Sequence, residues 1–312
     1  MRKPSKRRGW PRIIKAKTSR STWQLRGQIA KSCKLGPDRG IAISMKQGVL
    51  EKLRSRFDDY VTGFYGQDEY VNTNLQMKHL HSRRTCTVML EIADQIGLDA
   101  SQKRIAEAIA LFHDIGRFEQ FVKYGTYNDA RSVNHCQLGV QILRETNLLA
   151  SVDTTEREVI EKAIKYHGQK ELPSDLSGQC LLFSQLIRDA DKADVLYVIT
   201  EYHKQYRDNQ ENAMVEALML DLPDEPECSA GIIDALLHGR RIDHEELRTM
   251  NDMRLLLIGW VYDVNFTVTL KLIRERRFFD VLFEFLPETG DVERVRRKVF
   301  RYIDASVKSI LG

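Results

Sequence analysis

The chain has 312 residues, 42% of them hydrophobic and 29% charged. That is ample for one large core, or for one domain with an appended subdomain. No apolar run reaches the ~18 to 20 residues that span a bilayer, and no charged-then-apolar leader opens the chain. The five cysteines, at 33, 86, 136, 180 and 228, are scattered and form no CxxC pair. Reduced thiols in a cytoplasm are expected, and a disulfide framework or a zinc knuckle is excluded.

The net charge of +4 hides two opposite parts. Residues 1–44 hold 13 Lys or Arg and a single acid, Asp38, while the remainder holds 35 basic and 43 acidic side chains. The body is therefore acidic, unlike a nucleic-acid binder. Three readings fit the basic start: a disordered arm that touches nucleic acid, a transit peptide, or an extension ahead of a natural start at Met45. The last is the expectation.

No proline falls between residues 38 and 172, so helices there can run uninterrupted. Apolar residues recur at spacings of three and four, and alternation is nearly absent. The pattern predicts helices near 46–64, 72–96, 101–114, 132–148, 154–167, 177–206, 210–221, 229–238, 244–263, 265–285 and 291–310. Gly97, Gly116 and Gly168 follow helical runs, where a left-handed residue is cheapest as glycine. Ser101, Ser132 and Thr154 are the expected N-caps. The fold class is all-α: a helical domain at 45–206 and a C-terminal helical extension at 207–312, packed on it.

Ligand-type side chains sit on the apolar stripes. His113 continues Ile105, Ile109 and Phe112. His81 shares a face with Val88 and Ile92, His135 with Leu138, Gly139 and Ile142, and His167 with Ile160, Ala163 and Ile164. Asp191 follows Phe183, Ile187 and Ala190. Any one such histidine is more often a satisfied core residue than a ligand. Several together are different, because each unpaired buried polar group costs on the order of 1 to 3 kcal/mol. Convergence on a divalent cation removes that cost. His79 points to another side of its helix, and His203, His238 and His244 read as surface. Cys86 and Cys136 read as small core fillers, and Asp129 and Ser132 as turn and cap residues.

His81 in KHLHSRRT, His113-Asp114 in HDIGRFEQ and Asp191 in RDADKADVL together resemble the H…HD…D signature of the HD-domain superfamily. The resemblance covers residues 50–200, and more loosely WVYDVNF near 260–266. It implies an all-helical bundle and a metal-dependent phosphohydrolase. By that resemblance His81, His113, Asp114 and Asp191 hold one metal. His135 and His167 stand where two-metal members add histidines, and Asp114 would bridge both ions. One or two divalent ions, Mn, Fe or Zn, suit such a mixed N/O shell. The implied substrate is a nucleotide or another small phosphate ester, attacked by a metal-activated hydroxide, with no membrane or nucleic-acid partner for the domain itself. Arg117 and Arg84 are the expected grips on the phosphate, with Lys192 as a weaker one. The GYP signature of cyclic-dinucleotide diesterases is absent. The same six positions also serve di-iron oxygenases of the superfamily, and a non-catalytic ligand sensor is the third class. Asp189 and Asp194 flank Asp191 closely enough to be mistaken for it.

Overall fold

The computed structural model describes residues 43–208 and 222–311. Among these there are twelve α-helices, joined by turns and short 3-10 segments, and no strand. Residues 1–42 of the basic start and the helix expected at 210–221 lie outside the described residues. No described helix is long and apolar enough to cross a membrane.

Helix α1 (Gln47–Thr62) buries Leu50, Leu53, Phe57 and Val61, one helical face at the spacing the sequence shows. It packs on α3 (Ala100–Phe112), which also touches α2 (Glu69–Gln95), α6 (Thr154–Tyr166) and α7 (Gly178–Asp208). Phe57 meets Phe112 and Phe118 edge-on, with ring centroids 5.5 and 6.2 Å apart. That knot anchors the end of α3 that carries His113.

The helix starts are capped one or two residues from where serine and threonine suggest. Asp99 forms a capping box with Gln102, Asn134 caps α5 (His135–Glu145) and Asp153 caps α6. A side-chain oxygen one or two residues earlier satisfies the same orphan amides, so Ser101 and Thr154 already lie inside helices. Ser132 instead donates its hydroxyl to the Asn128 carbonyl and accepts from Gln120.

Gly116 does not end a helix; it begins one, α4 (Gly116–Tyr124). Only Gly97 of the three expected left-handed glycines has positive φ. A Cβ on Gly116 would run into the His135 carbonyl oxygen and come within 2.9 Å of the Gly139 amide. Glycine is needed there for close approach of α4 to α5, not for a turn.

After α7 the chain adds α8 (Ala230–Leu237), α9 (Met250–Gly259), α10 (Thr267–Glu275), α11 (Phe278–Glu284) and α12 (Gly290–Leu311). The single helix expected at 265–285 is two, broken at Arg277, whose φ is +57°. α10 and α11 pack on α7, and α10 also reaches α2. The WVYDVNF stretch is tied down by Asp189, a fully buried carboxylate on α7. It accepts from the Asn265 backbone amide (2.9 Å), the Asn265 side chain (2.8 Å), the Phe266 amide (2.9 Å) and the Thr269 hydroxyl (2.9 Å).

His203 is buried, not surface. Its Nδ1–H donates to the Ile199 carbonyl (2.7 Å), and its Nε2 accepts from Arg254 at 2.9 Å. Only a neutral imidazole can do both. Burial, with help from the Arg254 charge, pushes its pKa down to about 4. The unfolded chain then binds the proton first, so stability is full above the unfolded pKa and is lost as pH falls toward the folded one. Unfolding free energy is expected to drop by about 2 kcal/mol between pH 7 and pH 5 through this residue alone. Urea titrations of wild type and His203→Gln at both pH values check it, since the variant should lack that part of the slope.

Candidate metal centre

Four histidines reach one point from four helices. His81 projects from α2, His113 follows the last residue of α3, His135 opens α5 and His167 follows α6. All four are buried, as is Asp114 in the three-residue turn between α3 and α4. Asp191 comes from the middle of α7 and is the most open of the set, its side chain 27% exposed.

Each imidazole is fixed through Nδ1. His113 and His167 donate to the carbonyls of Ala110 (2.8 Å) and Ile164 (2.7 Å), one turn back in their own helices. His81 faces Asp194 Oδ2 at 2.7 Å, and His135 faces Asp129 Oδ2 at 2.7 Å. Carbonyls and carboxylates accept only, so each Nδ1 carries a proton, and each ring in its neutral form presents the Nε2 lone pair. The Nε2 atoms of His81 and His113 are 3.1 Å apart, and those of His135 and His167 are 3.2 Å apart.

Asp114 lies between the two pairs. Its Oδ2 is 3.5 Å from His81 Nε2 and 3.7 Å from His113 Nε2; its Oδ1 is 3.5 Å from His135 Nε2 and 3.7 Å from His167 Nε2. Asp191 Oδ1 closes the first group, 3.2 Å from His81 Nε2 and 3.7 Å from His113 Nε2. Lone pairs turned toward one another repel unless a cation or proton lies among them. An ion with bonds of about 2.0–2.1 Å has neighbouring donors about 2.9 to 3.4 Å apart. The donor set fits two such ions in spacing and in chemistry, with Asp114 offering one oxygen to each.

Charge is balanced locally. Burial alone would raise the Asp114 carboxyl, but Lys78, His113, His167 and Arg117 hold it well below the usual carboxylate range. Asp191, opposed by the same burial, is held well below that range by His113 and His81.

The cations expected to grip phosphate are engaged with carboxylates. Arg84 pairs with both oxygens of Asp194, at 2.8 and 3.0 Å, and so braces His81 from behind. Arg117 donates to Asp129 (2.7 Å), Gln120 (2.8 Å) and the Tyr127 carbonyl (2.6 Å), with its Nε 3.5 Å from Asp114. Lys192 pairs with Asp263 at 3.1 Å. Asp263 also holds Arg188 at 2.9 Å, and Arg188 binds the carbonyls of His167 (3.2 Å) and Gln169, the free end of α6.

Three site residues escape the sequence patterns. Lys78, one turn before His81, donates to Asp114 Oδ2 at 2.9 Å and lies over the Tyr127 ring. Its Lys-x-x-His spacing on the helix was the one available signal. Asp129 is not merely a turn residue, because it orients His135. Asp194, rather than being an alternative to Asp191, orients His81. Such outer carboxylates fix tautomer and ring orientation, and their loss typically weakens metal binding about 10- to 100-fold. Asp129→Asn and Asp194→Asn are each expected to show that loss with unchanged helix content. Calorimetric titration with manganese checks both.

Fold and site together define a helical bundle built around a buried His/Asp cluster that could hold a metal ion. Residues 80–207 match the HD domain family, from the residue before His81 in α2 to the last residue but one of α7. That matched stretch, less than half of the chain, is similar to the HD domains, a superfamily of metal-dependent hydrolases whose members bind divalent metals. No curated protein matches the chain, and no solved structure does.

Proposed function

We propose that the chain is a metal-dependent phosphohydrolase acting on a nucleotide or another small phosphate ester. The observation that carries this reading is Asp114, whose two oxygens each face a separate pair of imidazoles. His81, His113, Asp114 and Asp191 would hold the first ion; His135, His167 and Asp114 the second. Two divalent ions, when bound, lower the pKa of water and neutralise charge on a phosphoryl group.

The protein's own part is placement. Asp194 and Asp129 face the Nδ1 atoms of two imidazoles, which favours the tautomer that leaves Nε2 for a metal. The neighbouring cations Lys78 and Arg117 suit an anionic substrate. Lys78 has three donors and one carboxylate partner, so it can keep Asp114 and still turn to a phosphate oxygen. Asp191, the most exposed ligand, marks the side from which a small substrate enters.

The test is metal analysis of the purified full chain, joined to a panel of phosphomonoesters, diesters and nucleotides under air and under nitrogen. Phosphate release that needs manganese, iron or zinc, stops with chelator and persists under nitrogen is the expected result. Iron-dependent oxygen consumption without phosphate release would replace it by the oxygenase reading. Tight ligand binding with no turnover of any kind, in metal-loaded protein, would make it a sensor.

A further inference from the structure

Cys136, read from the sequence as a small core filler, has imidazoles for neighbours. It is the second residue of α5, directly after His135, and it is buried among the second pair of histidines. Its Sγ lies 3.3 Å from His135 Nε2, 3.5 Å from His167 Nδ1 and 3.9 Å from His167 Nε2. His135, Cys136 and His167 offer donor atoms that all lie within 4.8 Å of one another.

A second feature independently shows room kept for this sulfur. Residue 168, next to His167, is glycine without positive φ. A Cβ there would stand 2.8 Å from Cys136 Sγ and 3.2 Å from His135 Cε1. Glycine at 168 therefore serves neither a left-handed turn nor a tight helix cross-over; it leaves space where the thiol and the imidazole meet.

We propose that Cys136 is a thiolate ligand of the second ion. That position then has two imidazoles, one Asp114 oxygen and one sulfur, whereas the first has two imidazoles and two carboxylates. Bonds of about 2.3 Å to sulfur and about 2.0–2.1 Å to nitrogen place the two donors about 3.6 Å apart in a tetrahedral shell. The two Nε2–Sγ distances, 3.3 and 3.9 Å, bracket that value. Binding releases the thiol proton to solvent. Soft thiolate selects zinc, iron or cobalt over manganese or magnesium, so the two positions differ in preference: the first takes a harder ion, the second a softer one.

The inference rests on the two-ion reading above, and one experiment separates the failure of each. Metal-free full-length protein is titrated with cobalt(II), following the near-ultraviolet sulfur-to-cobalt charge-transfer band and the number of ions bound. Cys136→Ser and Cys136→Ala are titrated beside it, with circular dichroism to confirm the fold. Two ions in wild type, with the band arising only from the one at the His135–Cys136–His167 position whichever fills first, is the expected result. In both variants the band should vanish, the first ion should bind as before, and the second should weaken by at least the roughly 10- to 100-fold that loss of an outer partner already costs. Zinc competing against manganese should lose at least about tenfold of its advantage at the second position in the variants. Two ions with no band, and variants that bind both as wild type does, would overturn the thiolate and leave the two-ion centre standing. A single ion per chain, untouched by His167→Ala, would overturn both.

Discussion

Asp114→Asn is expected to empty the metal centre and lower turnover by several orders of magnitude while leaving helix content intact. The side chain keeps its size and can still accept a hydrogen bond, but it no longer offers an anionic oxygen to each imidazole pair. Among the described residues, the His81–His113 and His135–His167 groups share no other carboxylate at these distances. Loss of the shared carboxylate should therefore hurt more than loss of an outer histidine such as His135 or His167. Lys78 sharpens the test. Its ammonium is 2.9 Å from Asp114 and only 14% exposed, so the variant also strands a partly buried cation. Breaking such a buried pair costs about 3 to 5 kcal/mol. If Asp114 were only the partner of Lys78 and Arg117, the variant would be less stable yet would carry its full metal. The two accounts separate when metal per chain and thermal unfolding are measured with and without chelator. Added metal should stabilise wild type by mass action and leave Asp114→Asn unmoved. Full metal content with near-normal turnover in the variant would make the HD pair a structural feature.

What the sequence made legible follows from where metal ligands sit. His81, His113, His135, His167 and Asp191 each occupy a position that apolar periodicity assigns to a core face, so a polar residue there stands out. The structure brings all five, with Asp114, to one place. The residues behind them left no such mark. Asp194 and Asp129 act on histidines 113 and 6 positions away along the chain, and neither sits in a periodic pattern that separates a ligand-orienting carboxylate from a surface one. The glycines misled for a related reason. Gly116 and Gly168 follow helical runs, which suggests turns. Gly116 is set by close contacts with residues 135 and 139 and Gly168 by contacts with residues 135 and 136, which no local rule can see. Missing α4 has the same origin, since a glycine read as a stop is in fact a start. His203 reads as surface from its polar neighbours along the chain, but α9 brings Arg254 over it.

The aspartates of RDADKADVL should part company when substituted one at a time. All three lie on α7 within six residues. Asp189 faces the C-terminal helices, Asp191 faces His81 and His113, and Asp194 stands behind His81. Asp189→Ala would orphan the half-buried amides of Asn265 and Phe266 and the fully buried Thr269 hydroxyl. Each stranded group costs about 1 to 3 kcal/mol, and a loss of about 3 to 5 kcal/mol in unfolding free energy is expected, with the tie to the WVYDVNF stretch broken. Metal affinity of the protein that remains folded should change little, because no oxygen of Asp189 touches a ligand. Asp191→Ala should do the reverse. Its carboxylate is partly exposed and its near partners are the two imidazoles, so the metal-free protein should lose little stability while the first ion is lost and turnover with it. Denaturant unfolding of chelator-treated protein and manganese titration, run on both variants, give the crossed pattern or refute it. A metal defect in Asp189→Ala as large as that in Asp191→Ala, at equal stability, would mean the aspartate of the signature had been placed two residues too late.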